Sequence, residues 1–290
     1  MTDTRRTPCW RKDATSLSLA MLLLMGVTPS PIQAQDRPFP YELKHRDLLM
    51  MPLALGVTMW GESLREGTDP ILPGEVASLR REDVNWFDRT ATDNWSDAWN
   101  DRSDGFRDIV VFGGLALAGV EAANQLFRGE ASNTATLVTM GVEMTLYTMG
   151  ATYMTKALVG RKRPYMYNTD LSLQDRIGLG GDGDGDASHS FFSGHTSAAF
   201  ALATFSSMIF TDIHGRSNRS HLMWGSTLTL ATLTGIARVK AGVHYPTDVI
   251  AGAIAGSAIG YLVPRLHRKE GEGRLGLVVS PTRMGLRLRF

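Results

Sequence analysis

Apolar residues gather in six runs separated by polar breaks: Leu48–Trp60, Ile109–Ala123, Ala135–Thr155, Ala198–Ile213, Leu222–Ala237 and Val249–Val263. Each is long enough for a helix and rich in Ala, Gly, Thr and Met, which predicts an all-α helical bundle. Between the first two runs lies a polar stretch, "GESLREGTDPILPGEVASLRREDVNWFDRTATDNWSDAWNDRSDGFRD". Pro70 and Pro73 punctuate it, and Trp86, Phe87, Trp95 and Trp99 are spaced so that short amphipathic helices would present them to the bundle. The tail "GRLGLVVSPTRMGLRLRF" alternates weakly around Ser280-Pro281-Thr282 and predicts a small β-hairpin. Two strands cannot close a barrel. No internal repeat is visible. The pattern divides the chain into residues 1–34, a polar and helical segment 35–107 that packs on the bundle, the bundle itself at 108–268, and the tail at 269–290.

The first of these segments is a targeting signal by its pattern. Arg5, Arg6, Arg11 and Lys12 precede an apolar run from Leu17 to Val27, and Ala34 supplies a small residue for cleavage. Eleven apolar residues fall short of the about 20 that a spanning helix needs, so export with cleavage near Ala34 is expected. The protein is then periplasmic or attached to the membrane on its periplasmic side. Most of the later runs are 13 to 16 residues, and Glu121 and Glu143 interrupt two of them. Overall hydropathy is slightly negative. These features favour a soluble or peripherally attached bundle, with an integral one as the alternative.

Cys9, the one cysteine, precedes the apolar run, so the processed chain has no disulfide, thiol catalysis or cysteine-metal site. Removing residues 1–34, with four basic and two acidic side chains, leaves 26 basic against 27 acidic. That balance does not suit nucleic acid. Asp182, Asp184 and Asp186 match the first three ligand positions of a calcium loop, but Ala187 stands where glycine is needed and Ser193 where glutamate is needed. A flexible acidic loop is expected there, with no metal.

Three clusters carry candidate chemistry. In "KALVGRKRP", Lys156 and Arg163 are seven apart, about two turns, and share a face if the helix persists to Pro164. Two cations at a helix end suit a doubly charged oxyanion, and arginine adds a planar fork. In "SFFSGHTSAAFALATF", Ser193 and Gly194 stand at the mouth of an apolar helix, where unpaired N–H groups hold anions, and His195 follows in the first turn. In "ARVKAGVHYPTD", Arg238 is another fork, and Asp248 lies one turn from His244 if it opens the next helix. Such a carboxylate fixes the tautomer and leaves the other ring nitrogen to attack or bind. Singly, each cluster reads more readily as a solvated basic helix end, a cap or a turn.

In this order, Lys-x6-Arg-Pro, Ser-Gly-His and Arg-x5-His-x3-Asp resemble the type 2 phosphatidic acid phosphatase superfamily, whose fold is shared by bacterial acid phosphatases and vanadium haloperoxidases. The resemblance covers roughly residues 86–264, loosely at "FDRTATDNWSDAWNDRSD" and closely at "GVHYPTDVIAGAIAG". It implies that His244 is the nucleophile, oriented by Asp248, and that His195 is the general acid and then the base. Lys156, Arg163, Ser193, Gly194 and Arg238 would bind the phosphate. It implies no cofactor and no metal, and a phosphorylated substrate, with the form "HYPTD" leaning toward lipids. A non-catalytic phosphate- or lipid-binding relative and a vanadate-dependent haloperoxidase are the alternatives. Two positions depart from the family: Phe192 replaces its usual proline, and Ala237 its usual serine. They leave the loop geometry and one polar contact to phosphate open. The residue pattern sets neither the substrate nor the oligomeric state.

Overall fold

A computed structural model describes residues 38–67, 71–179, 186–269, 275–280 and 283–288. The targeting segment, Cys9, Asp182 and Asp184 lie outside these described residues.

The expected bundle forms, but from helices longer than the apolar runs. They are α1 (Asp47–Glu66), α2 (Pro73–Ser78), α3 (Asp97–Phe127), α4 (Ala131–Val159), α5 (Leu173–Gly178), α6 (Gly194–His214), α7 (Asn218–Lys240) and α8 (Pro246–His267). Polar first turns account for part of the extra length. Helix α3 starts at Asp97, where the Ser96 hydroxyl accepts the Trp99 N–H, so the division drawn at 107/108 falls inside this helix. Ser217 and Ser220 cap α7 reciprocally. At the other end, α4 stops at Gly160, whose φ of +58° is the left-handed conformation that glycine adopts without a Cβ penalty.

Helix α6 runs through the centre, with Ala199, Ala201 and Ala203 fully buried. Helix α8 lies against it along Gly252, Gly256 and Gly260. A Cβ at these positions would meet the carbonyl oxygens of Ser193, Ser197 and Ala201 at 2.7, 2.1 and 2.3 Å. Only hydrogen at Cα lets the two backbones approach this closely. On the other flank α1 packs along α4, where the Thr58 hydroxyl donates to the Ala54 and Leu146 carbonyls. Leu137, Met140 and Met144 of α4 meet Phe205 and Ile209 of α6 and Val263 of α8 in the main apolar core.

The outside of the bundle is apolar as well. Leu48, Leu49, Leu53, Met59 and Trp60 on α1 are exposed, as are Phe112, Leu115 and Phe127 on α3 and Ile250, Ile254 and Leu262 on α8. Helices α3, α6 and α8 are each long and apolar enough to cross a membrane. The length argument for a soluble or peripheral bundle therefore fails, because apolar runs of 15 or 16 residues sit inside helices of 21 to 31. An exterior of this kind is suited to membrane association.

The polar stretch folds over one end of the bundle. Trp95 packs edge-on against Tyr165, with ring centroids 5.5 Å apart, and Trp99 lies beneath Arg102 and Lys240. Trp86 and Phe87, expected to face the bundle too, are exposed instead. The tail forms its hairpin, β1 (Leu275–Ser280) antiparallel to β2 (Arg283–Leu288), with Ser280 opposite Arg283.

Candidate active site

All three clusters meet at the end of the bundle where α4 and α7 finish and α6 and α8 begin. Lys156 stands in the last turn of α4. Arg163 reaches the site by another route than expected: the helix ends at Val159, and Arg163 sits in extended backbone four residues later. Its N–H donates to the Ala187 carbonyl and its Nη1 to the Val243 carbonyl at 3.0 Å, so the loop places the buried guanidinium. Arg238, in the last turn of α7, is held from α3, donating to Asn100 Oδ1 at 2.7 Å and Ser103 Oγ at 3.2 Å.

Ser193 caps α6 as expected. Its oxygen accepts from the Thr196 N–H and from the Thr196 hydroxyl at 2.9 Å, which leaves its own hydrogen to donate. Gly194 faces Thr152, where a Cβ would come within 3.2 Å of the methyl group. In the first turn, His195 Nε2 lies 2.8 Å from Asp104 Oδ1 on α3, and Arg107 contacts the same nitrogen.

His244 lies between α7 and α8 and is only 1% exposed. Gly242, two residues earlier, has φ of +75°, and a Cβ there would strike the Asn94 carbonyl oxygen at 1.9 Å. The turn that delivers the imidazole therefore depends on glycine. Burial pushes His244 well below the usual histidine range, and the positive charges of Arg163, Arg238 and Lys156, with His195, push it the same way.

Asp248 is the third residue of α8 and not its first, because the helix begins at Pro246. Its Oδ2 lies 3.6 Å from His244 Nδ1, beyond hydrogen-bond length, and Nδ1 has no hydrogen-bond partner among the described residues. The carboxylate is instead fixed by the Ser190 hydroxyl at 2.5 Å, the Tyr245 N–H at 2.9 Å and Arg161 Nη1 at 2.5 Å. Arg161 also reaches Asp88 at 2.7 Å and lies over the Tyr245 ring, 3.8 Å from its centroid. Asp88 accepts from the Thr247 N–H and hydroxyl. Burial opposes ionisation of Asp88, but the hydrogen bonds from Arg161, Thr247 and Asn85 outweigh it and hold the carboxyl below its usual range.

The sequence-predicted residues thus converge, while a supporting ring of Asp88, Asn100, Ser103, Asp104, Arg107, Arg161 and Ser190 was not predicted. Arg161 lies within the quoted "KALVGRKRP" but is invisible at helical spacing, since the chain leaves the helix at Gly160. Phe192 and Ala237, the two departures, are both buried.

Comparison with known proteins gives three matches. A sequence model of the PAP2 superfamily matches residues 135–272. A lipid A 1-phosphatase from Porphyromonas gingivalis is 37% identical over 79 residues, which span 27% of this chain and 16% of that protein. A crystal structure of a transmembrane PAP2 type phosphatidylglycerolphosphate phosphatase from Bacillus subtilis superposes with a TM-score of 0.40 at 18% identity, covering 76% of this chain and 94% of that one. The segment that the PAP2 superfamily model matches is the one that carries all three clusters.

Proposed function

We propose that this protein is a membrane phosphatase that hydrolyses a lipid-linked phosphomonoester or pyrophosphate through a phosphohistidine on His244. The observation that carries the proposal is the buried His244, whose charged form burial and the nearby Arg163, Arg238 and Lys156 disfavour, with His195 beside it. With Nδ1 turned toward Asp248, Nε2 is the nitrogen left to attack. As the N–P bond forms, the P–O bond to the leaving group breaks and His195 donates a proton to that oxygen. His195 then takes a proton from water, whose oxygen attacks phosphorus and releases phosphate and neutral His244. Lys156, Arg163, Arg238, the Ser193 hydroxyl and the Gly194 N–H hold the nonbridging oxygens, which is most of what phosphoryl transfer requires. Asp248 stabilises the positive imidazole ring across 3.6 Å.

The apolar exterior supports a lipid substrate, and so does the similarity to a lipid A 1-phosphatase. In this reading α3, α6 and α8 span the membrane and the site opens at one surface, the periplasmic one if the N-terminal signal acts as its pattern suggests. The test is phosphate release by the purified protein in detergent plus chelator, against phosphorylated lipids, lipid pyrophosphates and soluble esters. Turnover of a lipid phosphate, lost in His244→Ala, is expected. Absence of phosphate release from the whole panel would overturn the proposal.

A further inference from the structure

Three buried side chains meet well away from His244: Asp47 in the first turn of α1, Glu143 in the middle of α4 and His267 at the end of α8. They are 6%, 3% and 1% exposed. His267 follows Asp248 by 19 residues on α8, about 28 Å of helix, and Glu143 precedes Lys156 by 13 on α4, about 20 Å. The proposed hydrolysis uses none of the three.

His267 Nδ1–H donates to the Val263 carbonyl at 3.0 Å. In the neutral ring that bond fixes the tautomer and leaves the lone pair on Nε2, the arrangement in which histidine binds metals. Nε2 faces Asp47 Oδ2 at 3.2 Å and Glu143 Oε2 at 3.4 Å. Neither oxygen meets hydrogen-bond geometry with it, and Nε2 and Glu143 Oε1 are both buried without a hydrogen-bond partner. A lone pair facing two buried carboxylates is repulsive unless positive charge lies between them. Arg46 Nε pairs with the other Asp47 oxygen at 3.6 Å, and Lys44 Nζ donates to the Leu266 and Arg268 carbonyls. The Lys44 backbone N–H donates to Asp47 Oδ2 and orients it.

The spacing selects a class of ion. Four-coordinate zinc, with nitrogen and oxygen ligands at about 2.0–2.1 Å, has ligand–ligand edges of about 3.3–3.4 Å, close to both distances from Nε2. We propose that Asp47, Glu143 and His267 form a structural site for a divalent cation of the zinc class, joining the start of α1, the middle of α4 and the end of α8. The ion would offset two carboxylates and couple its binding to the folded arrangement of the three helices.

The test uses the full chain purified in detergent without chelator. About one equivalent of zinc per chain is expected by mass spectrometry, with a melting temperature that falls by several degrees in chelator and recovers on adding zinc. Glu143→Gln and His267→Gln should bind none and lose the response to chelator. Should either variant fail to fold, cobalt substitution of the unaltered protein provides a second reading, with an intense tetrahedral visible band expected. Metal-free protein indifferent to zinc, chelator and cobalt would overturn the proposal, as would variants that keep a full equivalent of zinc.

Discussion

At the scale of residues, the proposed mechanism requires that His244 be uncharged when it meets phosphorus. Its ring titrates below the ordinary value of about 6.5 because burial and neighbouring cations disfavour the imidazolium. A lowered pKa keeps the neutral nucleophile present as pH falls through that value. The acid limb of kcat/KM should therefore lie below pH 6.5, and a limb at or above it would contradict this electrostatic account. In the proposed mechanism Asp104 acts through His195, so Asp104→Asn should slow alkyl phosphates by about 10²- to 10⁴-fold, as for loss of a general acid. Nitrophenyl phosphate, whose leaving group needs no proton, should be slowed far less; equal losses on both would remove Asp104 from that role. The residues expected to touch phosphate were legible because they lie in three compact motifs. Asp88, Asp104 and Arg161 were not, because their partners are 159, 91 and 87 positions away and no local pattern records such a contact.

Between elements, the proposed mechanism depends on how closely α6 and α8 approach, since one carries Ser193, Gly194 and His195 and the other carries Asp248. The Ser193 N–H donates to the Asp248 carbonyl at 3.1 Å across this contact. In Gly256→Ala the new methyl would sit 2.1 Å from the Ser197 carbonyl oxygen, a backbone atom that cannot step aside. The helices must then separate, at a cost of about 1–3 kcal/mol by analogy with overpacked cores, and turnover should fall with thermal stability. Gly225→Ala on α7 meets nothing within 4 Å and should be neutral or slightly stabilising, a control measured by the same melt. If Gly256→Ala melts and turns over like Gly225→Ala, the close contact is not essential. The six long helices were legible from their apolar runs, but their ends were not. The polar first two turns of α3 carry Asn100, Ser103 and Asp104 to the site, so hydropathy read them as linker.

For the whole molecule, the decisive property is an apolar exterior around a polar, cation-rich end. Hydropathy along the sequence could not separate core from lipid-facing surface, because both are apolar and Thr, Gly and Ser dilute the runs of both. If α3, α6 and α8 span a bilayer, the protein should stay in the membrane fraction through an alkaline carbonate wash and leave it only with detergent. Release by carbonate would restore the peripheral reading. The most direct test of the whole account is rapid acid-free quenching of the detergent-purified protein with labelled substrate, followed by treatment of the trapped protein with acid or alkali. The account predicts label bound to unaltered protein and to His195→Ala supplied with a good leaving group, lost in acid, stable in alkali and absent from His244→Ala; acid-labile label on His244→Ala would contradict it.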